Sequence, residues 1–180
     1  MNSFENIVAL FLEEEGYWVR QSVKVHISKQ EKKEIGTPTM PNPEIDLVAL
    51  GVARNELLLF EVKSYLDSPG VRYSDISGKG EFSHVYKLFT RDKFRKIITA
   101  GLIRQFKEKG FIGEKLPNVV YALAAGKIKL RDKDKIENYF RQKKWRIYSP
   151  EIIKEKIQDL AEKGWENNIV TMTVKLLLRN

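Results

Sequence analysis

Three charged side chains stand where an apolar strand should have none. Glu61 and Lys63 close the run Glu56-Leu57-Leu58-Leu59-Phe60-Glu61-Val62-Lys63-Ser64. The apolar stretch Leu57 to Phe60 reads as a strand buried on both faces. Charge is costly there unless it is paired or holds a metal. Two residues apart, the Glu and the Lys point to the same face of a strand. Asp46 stands in the preceding apolar stretch, Ile45-Asp46-Leu47-Val48-Ala49-Leu50. Two acids and a lysine at the rim of a sheet point to metal-dependent phosphodiester chemistry. That reaction needs a placed water, a neutralised phosphate and a stabilised leaving oxygen, and one or two divalent cations supply most of this. Mg²⁺ takes oxygen ligands, commonly one or two carboxylates beside water and substrate phosphate. Asp46 and Glu61 are the candidate carboxylates, and the main-chain carbonyl of Val62 is a further donor at the strand end. Lys63 is placed to orient the nucleophile or to counter charge in the transition state. The competing reading of the same residues is an ion pair of Glu61 with Lys63, with Asp46 as a turn residue.

The surrounding chain predicts the elements that hold this trio. Ser3 caps a helix from about Phe4 to Glu15, ended by Gly16, with Phe4, Ile7, Val8, Phe11 and Leu12 as its stripe. Tyr17 to Ile27 alternates as a strand. Residues 28–43 are polar, end in a segment with three prolines, and read as a loop. Strands over 45–50 and 57–63 follow, joined by the turn Gly51 to Asn55. Residues 64–83 lack periodicity and read as a long functional loop. One long helix is predicted over Val85 to Lys109, with Phe94, Ile97, Ile98, Gly101, Leu102 and Gln105 on one face. A strand over Val119 to Ala125, a basic helix over Asp132 to Lys144 and a short strand over Trp145 to Tyr148 come next. Ser149-Pro150-Glu151 starts a helix that ends near Gly164. The tail Asn167 to Leu178 allows helix or strand and is assigned helix. The whole reads as one α/β domain over 1–180, a mixed sheet with helices on its faces.

Bulk composition narrows the partner. The chain of 180 residues carries a net charge of +8, and residues 71–110 and 127–146 each hold +6 of it, leaving the remainder acidic. Two basic segments beside an acidic site point to a polyanion. Within and beside them, Ser64, Arg72, Tyr73 and Lys79 in the long loop, and Arg91 and Lys93 at the basic helix, are candidate contacts to a nucleic-acid backbone or base. The chain has no Cys, which excludes disulfides, thiol catalysis and Cys-based zinc sites. His26 and His84 are far apart and read as ordinary histidines. There is no apolar run of about 18 residues for a membrane span and no secretory signal, so an intracellular, cytoplasmic setting without a membrane partner is expected.

Pro43-Glu44-Ile45-Asp46 followed by Phe60-Glu61-Val62-Lys63 resembles the core of the PD-(D/E)xK nuclease superfamily, which includes restriction endonucleases and archaeal Holliday-junction resolvases. The resemblance covers about residues 3–125, and residues 126–180 form a C-terminal strand and helical extension outside it. It implies a restriction-endonuclease-like fold, metal-binding roles for Asp46 and Glu61, and a catalytic role for Lys63. It extends a catalytic role to Glu5 in the first helix, where a Glu favoured by the helix dipole is the ordinary alternative. Some relatives carry a Gln after the lysine strand, and Gln105 is the matching candidate, against a core Gln bonding the backbone. The expectation is a Mg²⁺-dependent DNA endonuclease, with Mn²⁺ as a substitute, acting on junction or flap-like DNA as a homodimer. The alternatives are a non-cleaving nucleic-acid-binding protein on the same fold, or an exonuclease or RNA-directed nuclease.

Overall fold

The computed structural model describes residues 3–162, 164 and 167–178. Five strands form one mixed sheet in the order β1-β2-β3-β4-β5. The strands are β1 (Trp18–Lys24), β2 (Glu44–Gly51), β3 (Glu56–Lys63), β4 (Asn118–Ala125) and β5 (Arg146–Tyr148). β1, β2 and β3 are an antiparallel meander, and β4 and β5 add in parallel. The fold class is therefore α/β, a mixed sheet flanked by helices, as the sequence predicts.

Helices cover both faces because β2, β3 and β4 are apolar on both. α1 (Ser3–Glu14) and α7 (Pro150–Ala161) take one face. There Phe11 and Leu12 of α1 and Ile153 of α7 meet Leu58, Phe60, Val62 and Ala124. α5 (Asp92–Glu108) takes the other face, where Ile98, Leu102 and Phe106 cover Val48, Leu57 and Leu59. Beside it, α6 (Lys133–Lys143) buries Ile136 and Phe140 against Leu123 and Ala125. Gly101 of α5 lies so close to β1 and the residues after it that an added Cβ would come within 2.9 Å of Val25 and Ile27 side chains. That glycine sets the depth at which the helix sits. α8 (Ile169–Leu178) is helical, as assigned.

Three loop or helix assignments change. The polar segment 28–43 contains α2 (Lys29–Glu34), closed by a capping box in which Ser28 and Glu31 bond each other's backbone N–H. It has no buried face, so periodicity is silent, and the Ser-x-x-Glu spacing is its only sequence signal. The loop 64–83 contains α3 (Tyr73–Ile76), with Val71 bridged to Ile128. The predicted helix over 85–109 is broken into a 3₁₀ turn at Glu81–Val85, α4 (Lys87–Thr90) and α5. The break sits at Arg91, whose backbone is extended with φ −121° and ψ 95°. Side chains bond carbonyls around the break: Thr90 Oγ1 donates to Tyr86 and Ser83 oxygens, and Arg95 donates to the Leu88 oxygen. These bonds turn Leu88 toward the sheet and open a space between α4 and β2.

Candidate active site

Asp46, Glu61 and Lys63 converge in that space. Side-chain alternation along β3 places Glu61 and Lys63 on the α5 face, continuing the row Leu57 and Leu59. Asp46 arrives by a different route. Ile45 faces α5 while Leu47 faces α1, so the two-residue alternation of β2 is broken at Asp46. The β1–β2 register pairs Gln21 with Leu47 and Val23 with Ile45 but leaves Ser22 opposite Asp46 unpaired. Ser22 has φ +50°, a left-handed conformation unusual outside Gly. The turned strand aims the Asp46 carboxylate along the sheet, where Oδ2 accepts the Val62 N–H at 2.7 Å. It can do so because β2–β3 pairing ends at Leu47↔Phe60, leaving the β3 edge open beyond. In a strand, a residue's carbonyl lies on the same edge as its N–H, so the Val62 carbonyl is also on that open side.

The Lys63 ammonium bridges the two acids, 3.5 Å from Asp46 Oδ2 and 3.5 Å from Glu61 Oε2. Glu61 Oε2 is buried and makes no hydrogen bond. Burial pushes the Glu61 carboxyl up to about 7, with Lys63 pulling it down and Asp46 pushing it further up. Burial also opposes the charge on Lys63, but Glu61 and Asp46 outweigh it and raise the lysine above its ordinary value. Lys63 therefore stays cationic, which suits a counter-charge role better than a base. Beneath it lies Tyr86, with its ring centre 6.0 Å from the ammonium. Burial and a hydrogen bond to Tyr65 hold the Tyr86 phenol protonated, far above the usual tyrosine range.

The trio opens into a cleft of about 630 Å³. One wall is the proline-rich segment from Thr37 to Pro43, and the other runs from His84 through Lys87 and Leu88 to Arg91. Sequence reasoning named only Arg91 of these walls. The second wall was hidden inside the predicted long helix, and the break at Arg91 has no strong local signal. Of the predicted nucleic-acid contacts, Arg91 lines the cleft and is exposed. Lys93 instead reaches Glu34 of α2 at 3.7 Å. Arg72 and Tyr73 start α3, where Tyr73 gives its N–H to Asp132 and packs edge-on against Tyr139. Lys79 is exposed on the same loop, and Ser64 is half-buried beside Gly126. None of these five lines the cleft. Gln105 makes the backbone bonds of the ordinary alternative: its amide accepts the His26 N–H and donates to the Lys24 oxygen, holding the chain where β1 ends. Glu5 lies in the first turn of α1, the helix on the opposite face of the sheet, and does not line the cleft.

Among the described residues, no three His, Cys, Asp or Glu side chains cluster as a metal-binding group. The donors that do converge are two carboxylates and a main-chain carbonyl. These are hard oxygens, the set that suits Mg²⁺ or Mn²⁺ rather than zinc. Glu61 Oε2 is the observation that fits a cation: it is buried and makes no hydrogen bond, although the Lys63 ammonium stands 3.5 Å away, and a closer positive partner would satisfy it better. No helix among the described residues is long and apolar enough to cross a membrane. Comparisons with family models, with curated proteins and with solved structures returned no match.

Proposed function

We propose that the protein is a metal-dependent nuclease that hydrolyses DNA phosphodiester bonds, selective for junction or flap-like DNA and acting as a homodimer. The observation that carries this reading is the pair of carboxylates held 3.5 Å from one lysine, one oxygen buried without a hydrogen bond, at the floor of an open cleft. A buried ion pair stabilises best when hydrogen bonds complete it, and Glu61 Oε2 has none. Asp46, Glu61 and the Val62 carbonyl would hold a divalent cation, which supplies charge neutralisation at the scissile phosphate. Lys63 brings a permanent positive charge to the same place, set to meet the charge that develops on the phosphoryl oxygens. Tyr86 gives that ammonium a buried floor, so its position is fixed from below. Arg91 and Lys87 on the cleft wall supply cations for the DNA backbone.

Labelled linear, flapped and four-way-junction DNA, incubated with Mg²⁺ or EDTA beside Asp46→Ala and Lys63→Ala, tests the reading. Expected is Mg²⁺-dependent cleavage, fastest on branched DNA and lost in both variants. Binding without cleavage of any substrate would favour a non-cleaving nucleic-acid-binding protein. Cleavage that persists in both variants would move the site elsewhere.

A further inference from the structure

Beside the acids, the cleft wall continues into an exposed aromatic turn. Phe82 is 46% exposed, an unusual state for so large an apolar ring. Its ring centre lies 6.3 Å from that of His84, which lines the cleft with Asp46, Glu61 and Lys63. On the opposite wall Met40 is 56% exposed.

The turn that carries Phe82 is held by polar groups. Asp75 is 5% exposed, and its Oδ1 accepts the Phe82 N–H at 3.2 Å. Gly80 packs so closely on this carboxylate that an added Cβ would sit 2.0 Å from Oδ1. Ser83 Oγ accepts the Gly80 N–H and donates to the Gly80 oxygen, and Thr90 Oγ1 donates to the Ser83 oxygen. A buried acid is thus committed to the backbone of a residue whose own ring is nearly half open to water. A loose surface loop has no need of this. A fixed aromatic platform does.

We infer that Phe82 is a stacking platform for an unpaired base, so that the cleft takes single-stranded DNA or the single-stranded arm of a branched substrate. Every base has a flat face, and stacking on an aromatic ring is indifferent to sequence. Paired bases inside a duplex present no such face to a side chain at a cleft lip. Met40 lines the cleft from the proline-rich wall, and Lys87 and Arg91 lie along the wall that carries His84, to take the backbone charge. The inference rests on the nuclease reading for the reason a strand enters the cleft, but its test needs no cleavage.

The experiment is binding in EDTA, by fluorescence polarisation, of a labelled single strand and of a blunt duplex of the same sequence. A 2-aminopurine base in the single strand reports stacking by quenching. Phe82→Ala is expected to weaken single-strand binding on the order of tenfold, to relieve the quenching and to leave duplex binding within about twofold, since phosphate contacts dominate there. Phe82→Trp is expected to restore both signals. An exposed ring is not needed for folding, and unchanged thermal melting of the variants checks this. Equal single-strand binding by Phe82→Ala and the wild type overturns the inference. So does an equal loss on duplex, or a failure of Phe82→Trp to rescue. If Phe82 discriminates strands while Asp46→Ala leaves cleavage intact or no cleavage exists, the nuclease reading falls and the platform stands.

Discussion

The two ends of β3 carry the same kind of chemistry and treat it in opposite ways. At its start, Glu56 receives two bonds from Arg146, at 2.7 and 3.0 Å, and a third from the Tyr17 hydroxyl at 2.7 Å. At its end, Glu61 faces Lys63 at 3.5 Å and keeps one buried oxygen without a hydrogen bond. Burial works against ionisation at both. At Glu56 the bonds from Arg146 and Tyr17 win, and its carboxyl falls below the usual range. At Glu61 burial wins and the carboxyl rises to about 7. The same strand can therefore satisfy a carboxylate fully, and it does so at the end that only needs to be stable. The unsatisfied end is the one that opens on a cleft.

The largest effect expected from breaking this contrast is at the open end. Removing the charge of Lys63 with Lys63→Ala should lower single-turnover cleavage by about 10²–10³-fold, the usual cost of losing one transition-state charge partner. Arg146→Ala, at the closed end, should leave cleavage at permissive temperature unchanged. Its cost is stability: a buried carboxylate loses its partner, which, discounted for the partial exposure of Arg146, comes to about 2 kcal/mol in denaturant unfolding. A large loss of cleavage with intact folding in Arg146→Ala would erase the division of labour.

Acid and base separate the two ends in opposite directions. Glu61 has a raised folded value, so its contribution to stability is full below about 4.5 and is lost as pH rises through about 7. Glu61→Gln should therefore stabilise the metal-free protein at pH 8, by about 1–2 kcal/mol after allowing for the lost attraction to Lys63, while abolishing cleavage. Glu56 has a lowered folded value, so its contribution is present above 4.5 and is lost as pH falls through the depressed value. Glu56→Gln should flatten the acid side of the stability profile and leave the alkaline side alone. Thermal melts across pH with both variants check the pair. Equal profiles would remove the distinction. The smallest effect expected is at Ser22: Ser22→Gly should relieve a left-handed Ser and stabilise by about 0.5–1 kcal/mol, with cleavage retained. Ser22→Val should cost about 1–3 kcal/mol and reduce cleavage by releasing the aim of Asp46.

Much of this was readable in the chain because it depends on strand geometry alone. A Glu and a Lys two apart after an apolar run must share a face, and the β2–β3 hairpin follows from two short apolar segments with the turn Gly51 to Asn55 between them. Asp46 was recognisable as an acid out of place. Its direction was not, since that comes from Ser22 across the sheet. The cleft wall from His84 to Arg91 was unreadable for a related reason. Its helix break is enforced by Thr90 and Arg95 bonding back to carbonyls around it, whereas the neighbouring residues keep good helical periodicity. Gln105 shows a position that pattern alone leaves between two readings. It lies on the face that would suit a site residue, but the backbone at Lys24, the last residue of β1, and at His26 beyond it takes both ends of its amide. The distant signal for α2 was a cap without a stripe, and pattern reading weighs stripes first.

The missing rung between Ser22 and Asp46 has a mechanical consequence. Glu61 is clamped by β4 along one edge and by α4 above, whereas Asp46 sits on a ladder with one pair of hydrogen bonds left out. The two acids therefore differ in compliance. As ions of different radius enter, Asp46 should yield and Glu61 should not. Amide exchange at Ser22 and Asp46 is expected to outpace that of their neighbours Gln21 and Leu47, and to slow on adding Mg²⁺ or Mn²⁺. If the site holds a cation as proposed, one stiff jaw and one sprung jaw would let it take more than one hard cation without rebuilding its core.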